Sequence, residues 1–160
     1  MGRVLTREGA VAWRRKLQSE GRRVVFTNGV FDLLHRGHVE LLARARSFGD
    51  AVIVGCNSDA STRRLKGTGR PIVPAEDRAA VLAALAAVDA VVIFDEDTPA
   101  LLIDALVPDV LVKGADYAPG EIVGREVVEA HGGRVERVEL VEGKSTSRLL
   151  EEMARRGGVG

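Results

Sequence analysis

The chain has one cysteine in 160 residues, no net charge and only 4% aromatic residues. Each shortage excludes something. Cys56 has no second cysteine to pair with, so no internal disulfide staples the fold, which suits a reducing compartment. Lysine plus arginine number 23 and so do aspartate plus glutamate, so no field of one sign recruits nucleic acid or an acidic partner. No apolar run approaches the ~20 residues of a membrane span, and the first residues lack a signal-peptide pattern. These absences lead to the expectation of a soluble cytoplasmic protein with no nucleic-acid and no membrane partner. Beyond His35 and His38 there is one further histidine, His131, and no His-Glu-x-x-His or Cys-x-x-Cys spacing. That argues against a dedicated zinc site.

What is present is an ordinary globular composition, 46% hydrophobic, long enough for a sizeable core. There is no repeat and no linker, so residues 1–160 read as one domain. Residues 1–22 are its helical amino-terminal extension and 156–160 a loose tail. Ala10, Trp13 and Leu17 fall on one face of a helix over 6–20. Apolar, β-branched runs then alternate with helical patterns. Strands are expected at Arg23–Thr27, Ala51–Cys56, Ala90–Phe94, Asp109–Lys113 and Arg134–Leu140. Helices are expected over about 37–48, 59–65, 75–87, 99–106, 122–131 and from 145 onward.

This alternation predicts an α/β domain: a Rossmann-like, doubly wound, five-stranded parallel sheet of order 3-2-1-4-5 with helices on both faces. In that order the first and fourth strands are neighbours and the winding reverses between them. Ligands bind beyond the carboxyl ends of strands at such a point. Two polar turns converge there, Thr27-Asn28-Gly29-Val30-Phe31-Asp32-Leu33-Leu34-His35-Arg36-Gly37-His38 and Lys113-Gly114-Ala115-Asp116-Tyr117.

The first turn carries the sharpest signal. A strand ends, the chain turns, and a helix opens with two histidines flanking Gly37. A helix amino terminus offers unpaired N–H groups and a positive dipole end, which suit phosphate. Imidazoles add donors for phosphate oxygens. Gly37, having no Cβ, permits close approach. A serine-threonine run, Ser145-Thr146-Ser147, opens the last helix and reads either as a plain N-cap or as a phosphate contact. Asp32 reads as fixing the turn or the acceptor. Arg63, Arg64, Arg70 and Arg78 form a basic cluster around Lys66 in an otherwise neutral chain.

Thr27-x-Gly29-x-Phe31-Asp32-x-x-His35-x-Gly37-His38 resembles the signature of the HxGH nucleotidyltransferase superfamily, which includes the cytidylyltransferases. Gly143-Lys144-Ser145-Thr146-Ser147 resembles that superfamily's second motif. Val54–Asp59, Arg64–Gly67, Gly69–Ile72, Glu96–Pro99 and Pro108–Gly114 are similar to the adenylyltransferase domains of bacterial heptose biosynthesis. The likeness spans about residues 6 to 155.

The resemblance implies transfer of AMP from ATP to D-glycero-β-D-manno-heptose 1-phosphate, giving ADP-heptose and pyrophosphate. It implies His35, His38 and Lys66 as catalytic residues. Thr27, Asn28, Gly29, Val30, Phe31, Gly37, Lys113, Gly114, Asp116, Tyr117, Ser145, Thr146 and Ser147 are implied as nucleotide contacts. Asp32, Arg63 and Arg78 are candidates for the acceptor. Mg²⁺ is implied with ATP, carried by the nucleotide and not by a protein cage. A homodimer is one assembly the resemblance allows. Two alternatives stand beside it: a cytidylyltransferase for another small phosphorylated or phosphonylated alcohol, and a non-catalytic nucleotide-binding module. Leu140 stands where cytidylyltransferases commonly have arginine, which weakens the cytidine reading.

Overall fold

The computed structural model describes residues 1–115, 119–140, 143 and 145–157. One parallel sheet contains β1 (Arg3–Leu5), β2 (Val24–Gly29), β3 (Ala51–Asn57), β4 (Ala90–Phe94), β5 (Val110–Gly114) and β6 (Arg134–Val138). The helices of the described residues are α1 (Arg7–Ser19), α2 (Arg36–Arg46), α3 (Asp59–Lys66), α4 (Ala75–Ala84), α5 (Ala100–Leu106), α6 (Arg125–Ala130) and α7 (Thr146–Gly157).

The strand order is β1-β4-β3-β2-β5-β6. This corrects the expected sheet of five strands ordered 3-2-1-4-5. The added strand, β1, lies at the edge, with Arg3 opposite Ala90 and Leu5 opposite Val92. Without it the strands run β4-β3-β2-β5-β6. Three residues, Arg-Val-Leu, are too few for a period-2 pattern to register. What makes them a strand is the open edge of β4, whose backbone groups need partners.

Successive strand residues face opposite ways, and each face has its own core. On one, Val24, Phe26, Ile53, Val92 and Leu111 pack with Leu17 of α1, Leu102 and Ile103 of α5 and Val128 of α6. On the other, Val25, Val52, Val54, Val91 and Val112 pack with Leu42 and Ala45 of α2 and Ala79 and Leu82 of α4. A strand buried on both faces must be apolar throughout, and β3 is buried along its whole length. Each such Leu or Phe contributes about 1.5–3 kcal/mol by leaving water.

The amino ends of the central strands are tied by aspartates. Asp50 accepts from the Arg23 N–H at 2.7 Å, Asp89 from Val52 N–H at 2.8 Å, and Asp109 from Val24 N–H at 2.7 Å. Arg14, buried under α1, donates to Asp109 and to the Val107 carbonyl. Strand ends on this side are thereby closed. The carboxyl ends are left for the loops that carry chemistry.

Candidate active site

The site begins where β2 ends. Asn28, Gly29 and Val30 are half-buried, while Thr27 and Phe31 are buried. Phe31 has a left-handed backbone, φ 50°. Its ring lies where a Cβ on Gly29 would sit, 3.0 Å from the nearest ring carbon. The close approach that Gly29 permits is therefore that of Phe31, and the ring in turn lies 5.2 Å from the His38 ring.

α2 opens with a reciprocal cap built from the two histidines. His35 is the N-cap residue, and its Nδ1 accepts from the Gly37 N–H at 3.0 Å. His38, three residues on, accepts the His35 N–H on its own Nδ1 at 3.3 Å. The rings stack with centroids 3.8 Å apart. This is the capping-box arrangement with imidazole in place of hydroxyl and carboxylate. The His-x-x-His spacing at a helix start was the available signal for it.

The cap fixes the tautomers. A ring nitrogen that accepts an N–H carries no proton, so in each neutral imidazole the proton sits on Nε2. Burial, and then the neighbouring His35, pushes the His38 pKa down from 6.5 to about 4. His38 is thus neutral at pH 7 and offers its Nε2–H as a donor.

The second turn and the last helix meet this one. Lys113, at the end of β5, donates to the side chain of Asn28. Burial lowers the Lys113 pKa from 10.5 to about 8. Gly114 is buried beside it and pairs with Val138. At the start of α7 the Thr146 hydroxyl donates to the Leu33 carbonyl at 3.0 Å, which brings the serine-threonine run onto the histidine turn. Ser145 caps α7, its hydroxyl accepting from the Arg148 N–H at 3.1 Å, so the plain N-cap reading holds for that residue. Ser147 is exposed on the first turn. Asp116, Tyr117 and Lys144 lie outside the described residues.

The acceptor candidates fare differently. Arg78 is no surface cation. Its side chain is wholly buried and donates to the carbonyls of Val73, Val30 and Asn57 and to Asp59. It pins the site turn, the end of β3, α3 and α4 together, and presents nothing to a ligand. Asp32 is also committed inward. Its carboxylate accepts from the Ile72 and Val73 N–H groups at 2.9 Å and from Arg70 Nε at 2.6 Å. Burial pushes its pKa up, but these donors outweigh it and hold the carboxyl below its ordinary value. Asp32 therefore fixes the turn against the 67–73 loop. Arg63 and Lys66 are exposed on α3, and Lys66 is its last residue before Gly67. The Val30 carbonyl accepts from Arg78, and its N–H is on the same turn.

Among the described residues no three His, Cys, Asp or Glu side chains cluster as a metal cage. No helix among them is long and apolar enough to cross a membrane. The single thiol is buried, and burial raises its pKa to about 11.

Comparison with known proteins gives this geometry a family. The cytidylyltransferase-like family profile matches residues 26–149, from β2 through both turns to the first part of α7. The bifunctional protein HldE of Geotalea uraniireducens is 60% identical over 136 residues, 85% of this chain and 28% of that protein. HldE of Geobacter sulfurreducens is 58% identical over 141 residues, 88% of this chain and 29% of that protein. The chain thus spans under a third of the length of these relatives. Among solved structures, a lipopolysaccharide core biosynthesis protein from Thermoplasma volcanium superposes with a TM-score of 0.63 at 26% identity, covering 78% of this chain and 100% of that one. Pantoate-beta-alanine ligase from Francisella tularensis shares the fold, with a TM-score of 0.63 at 13% identity over 97% of this chain and 80% of that one. On the extent of the profile and these identities, the chain belongs to the cytidylyltransferase-like family of nucleotidyltransferases.

Proposed function

We propose that this nucleotidyltransferase moves AMP from ATP to a sugar 1-phosphate, with D-glycero-β-D-manno-heptose 1-phosphate as the acceptor. The observation that carries the reading is the double histidine cap, in which both Nδ1 atoms accept backbone N–H groups and His38 is neutral, beside the start of α7. Neutral donors fixed in advance suit a phosphorus centre on which negative charge builds. The segments similar to heptose adenylyltransferase domains support the choice of nucleotide and acceptor.

In the proposed reaction an oxygen of the acceptor's phosphate attacks the α-phosphorus. The bond from that phosphorus to the bridging oxygen breaks, and pyrophosphate leaves with the electron pair. The attacking monoester dianion needs no general base, so the protein's task is positioning and charge stabilisation. His35 and His38 donate to the α-phosphate oxygens. The free N–H groups at the start of α7 and the hydroxyl of Ser147 receive the β- and γ-phosphates, while the Thr146 hydroxyl holds α7 to the turn through Leu33. Lys66 closes on the triphosphate from the end of α3. Gly114 and Lys113 line the nucleoside side of the crevice. Mg²⁺ carried by the nucleotide would neutralise phosphate charge beside these donors.

The test is pyrophosphate release from ATP, CTP, GTP and UTP in turn, each with the heptose 1-phosphate and Mg²⁺. Release with ATP is expected. Release with CTP alone overturns the adenylyl reading, and release with none overturns the acceptor or the activity.

A further inference from the structure

The sequence offers four arginines around Lys66, and the structure separates them. Arg64 is paired to Asp97 at 2.7 Å and to the Asp95 carbonyl. Arg78 is buried and saturated. Arg63 is exposed on α3 and touches nothing of the histidine turn in any hydrogen bond or ion pair. Arg70 and Arg78 are both bonded to that turn, Arg78 from within the core through the Val30 carbonyl and the partly exposed Arg70 through Asp32.

The manner of that bond is what matters. Arg70 contacts Asp32 by Nε, at 2.6 Å, and its side chain is 13% exposed. The Asp32 carboxylate is fully buried and already shared with two backbone N–H groups, so its charge is largely met from behind. Both Nη atoms of Arg70 are left without a protein partner among the described residues. A guanidinium gripped at Nε and open at Nη is a rigid fork for two phosphate oxygens. Its anchor, Asp32, follows Phe31 in the chain, and the Phe31 ring abuts His38.

We propose that Arg70, held by Asp32, binds the phosphate monoester of the acceptor and sets the enzyme's demand for a phosphorylated substrate. This rests on the nucleotidyl-transfer reading above, in which the histidines and the start of α7 are occupied by the triphosphate. The incoming dianion then needs a cation of its own, close to the α-phosphate and outside that set. Asp32 is a positioning residue: it aims Arg70 and does not touch the ligand.

The experiment is steady-state kinetics of Arg70→Lys and Arg70→Ala with acceptor and ATP varied separately, alongside thermal melting. Arg70→Ala is expected to raise the acceptor KM about 10–100-fold with the ATP KM within about twofold. Arg70→Lys keeps the charge but cannot bond Asp32 and fork a phosphate together, so it recovers only part. A folded variant with unchanged acceptor KM, or with both KM values raised alike, overturns the proposal. Should the wild type turn over no acceptor, the functional reading fails separately. Titration with inorganic phosphate then decides on Arg70: weaker binding by Arg70→Ala than by wild type supports it, and equal or absent binding by wild type overturns it.

Discussion

His35 and His38 hold one another in a single protonation pattern: the His38 ring accepts the His35 N–H at 3.3 Å, and the two rings stack at 3.8 Å. The cap that starts α2 thus also leaves the proton of the neutral His38 ring on Nε2. Structure and chemistry can be separated by substitution. Asn serves well as an N-cap but has no Nε2, so His35→Asn should change stability by less than about 1 kcal/mol. Its kcat should fall roughly 100-fold or more, as for loss of a preorganised donor. Melting and steady-state kinetics on one preparation check both. Near-wild-type kcat removes the proposed role.

The low His38 pKa has a signed consequence. The folded value, about 4, lies below the unfolded value, 6.5, so the unfolded chain binds more protons between them. The His38 contribution to stability is present above pH 6.5 and is lost as pH falls toward 4. A ¹H–¹⁵N titration should find the His38 ring neutral, protonated on Nε2, at pH 6. A midpoint near 6.5 contradicts the assignment.

Lys113 works in the other pH range. Its folded pKa, about 8, lies below the ordinary 10.5, so holding it charged in the fold costs stability at neutral pH. That cost is relieved as pH rises from 8 to 10.5. Denaturant melts of wild type and Lys113→Met should converge or cross in that window, by up to about 3 kcal/mol. A constant difference across it removes the depressed pKa.

Arg78 should behave as a structural pin. Arg78→Met strips donors from three carbonyls and leaves Asp59 without its cation. Asp59 is partly exposed, so the main cost is the orphaned carbonyls, at about 1–3 kcal/mol each and together about 3–5 kcal/mol. At about 2–4 °C per kcal/mol this is a fall in Tm of roughly 6–20 °C. A Tm within a few degrees of wild type, with only the acceptor KM raised, restores Arg78 as a substrate contact.

The sequence displays whatever repeats along the chain or joins neighbours in it. The apolar runs of β2 to β5 are buried on both faces, and that burial is what makes them legible. The histidine pair is local, and so is the Ser145 cap. Contacts made by distant segments leave no such trace. Nothing in Arg-Val-Leu announces β1, because the edge of β4 that recruits it is about 85 residues away. The same blindness applies to the arginines. Arg78 looks like any basic residue of a helix, yet Val30, Asn57, Asp59 and Val73 converge on it. Arg70 looks like a loop cation, and only its bond to Asp32, 38 residues away, ties it to the site.

The central claim is that the α-phosphorus of ATP is the atom transferred. The direct measurement follows ATP labelled with ³²P at the α-position, incubated with the heptose 1-phosphate and Mg²⁺. The account predicts label in an ADP-sugar at the rate pyrophosphate appears, with γ-label recovered only in pyrophosphate. Label remaining in ATP, or released as AMP or ADP without entering the sugar, contradicts it.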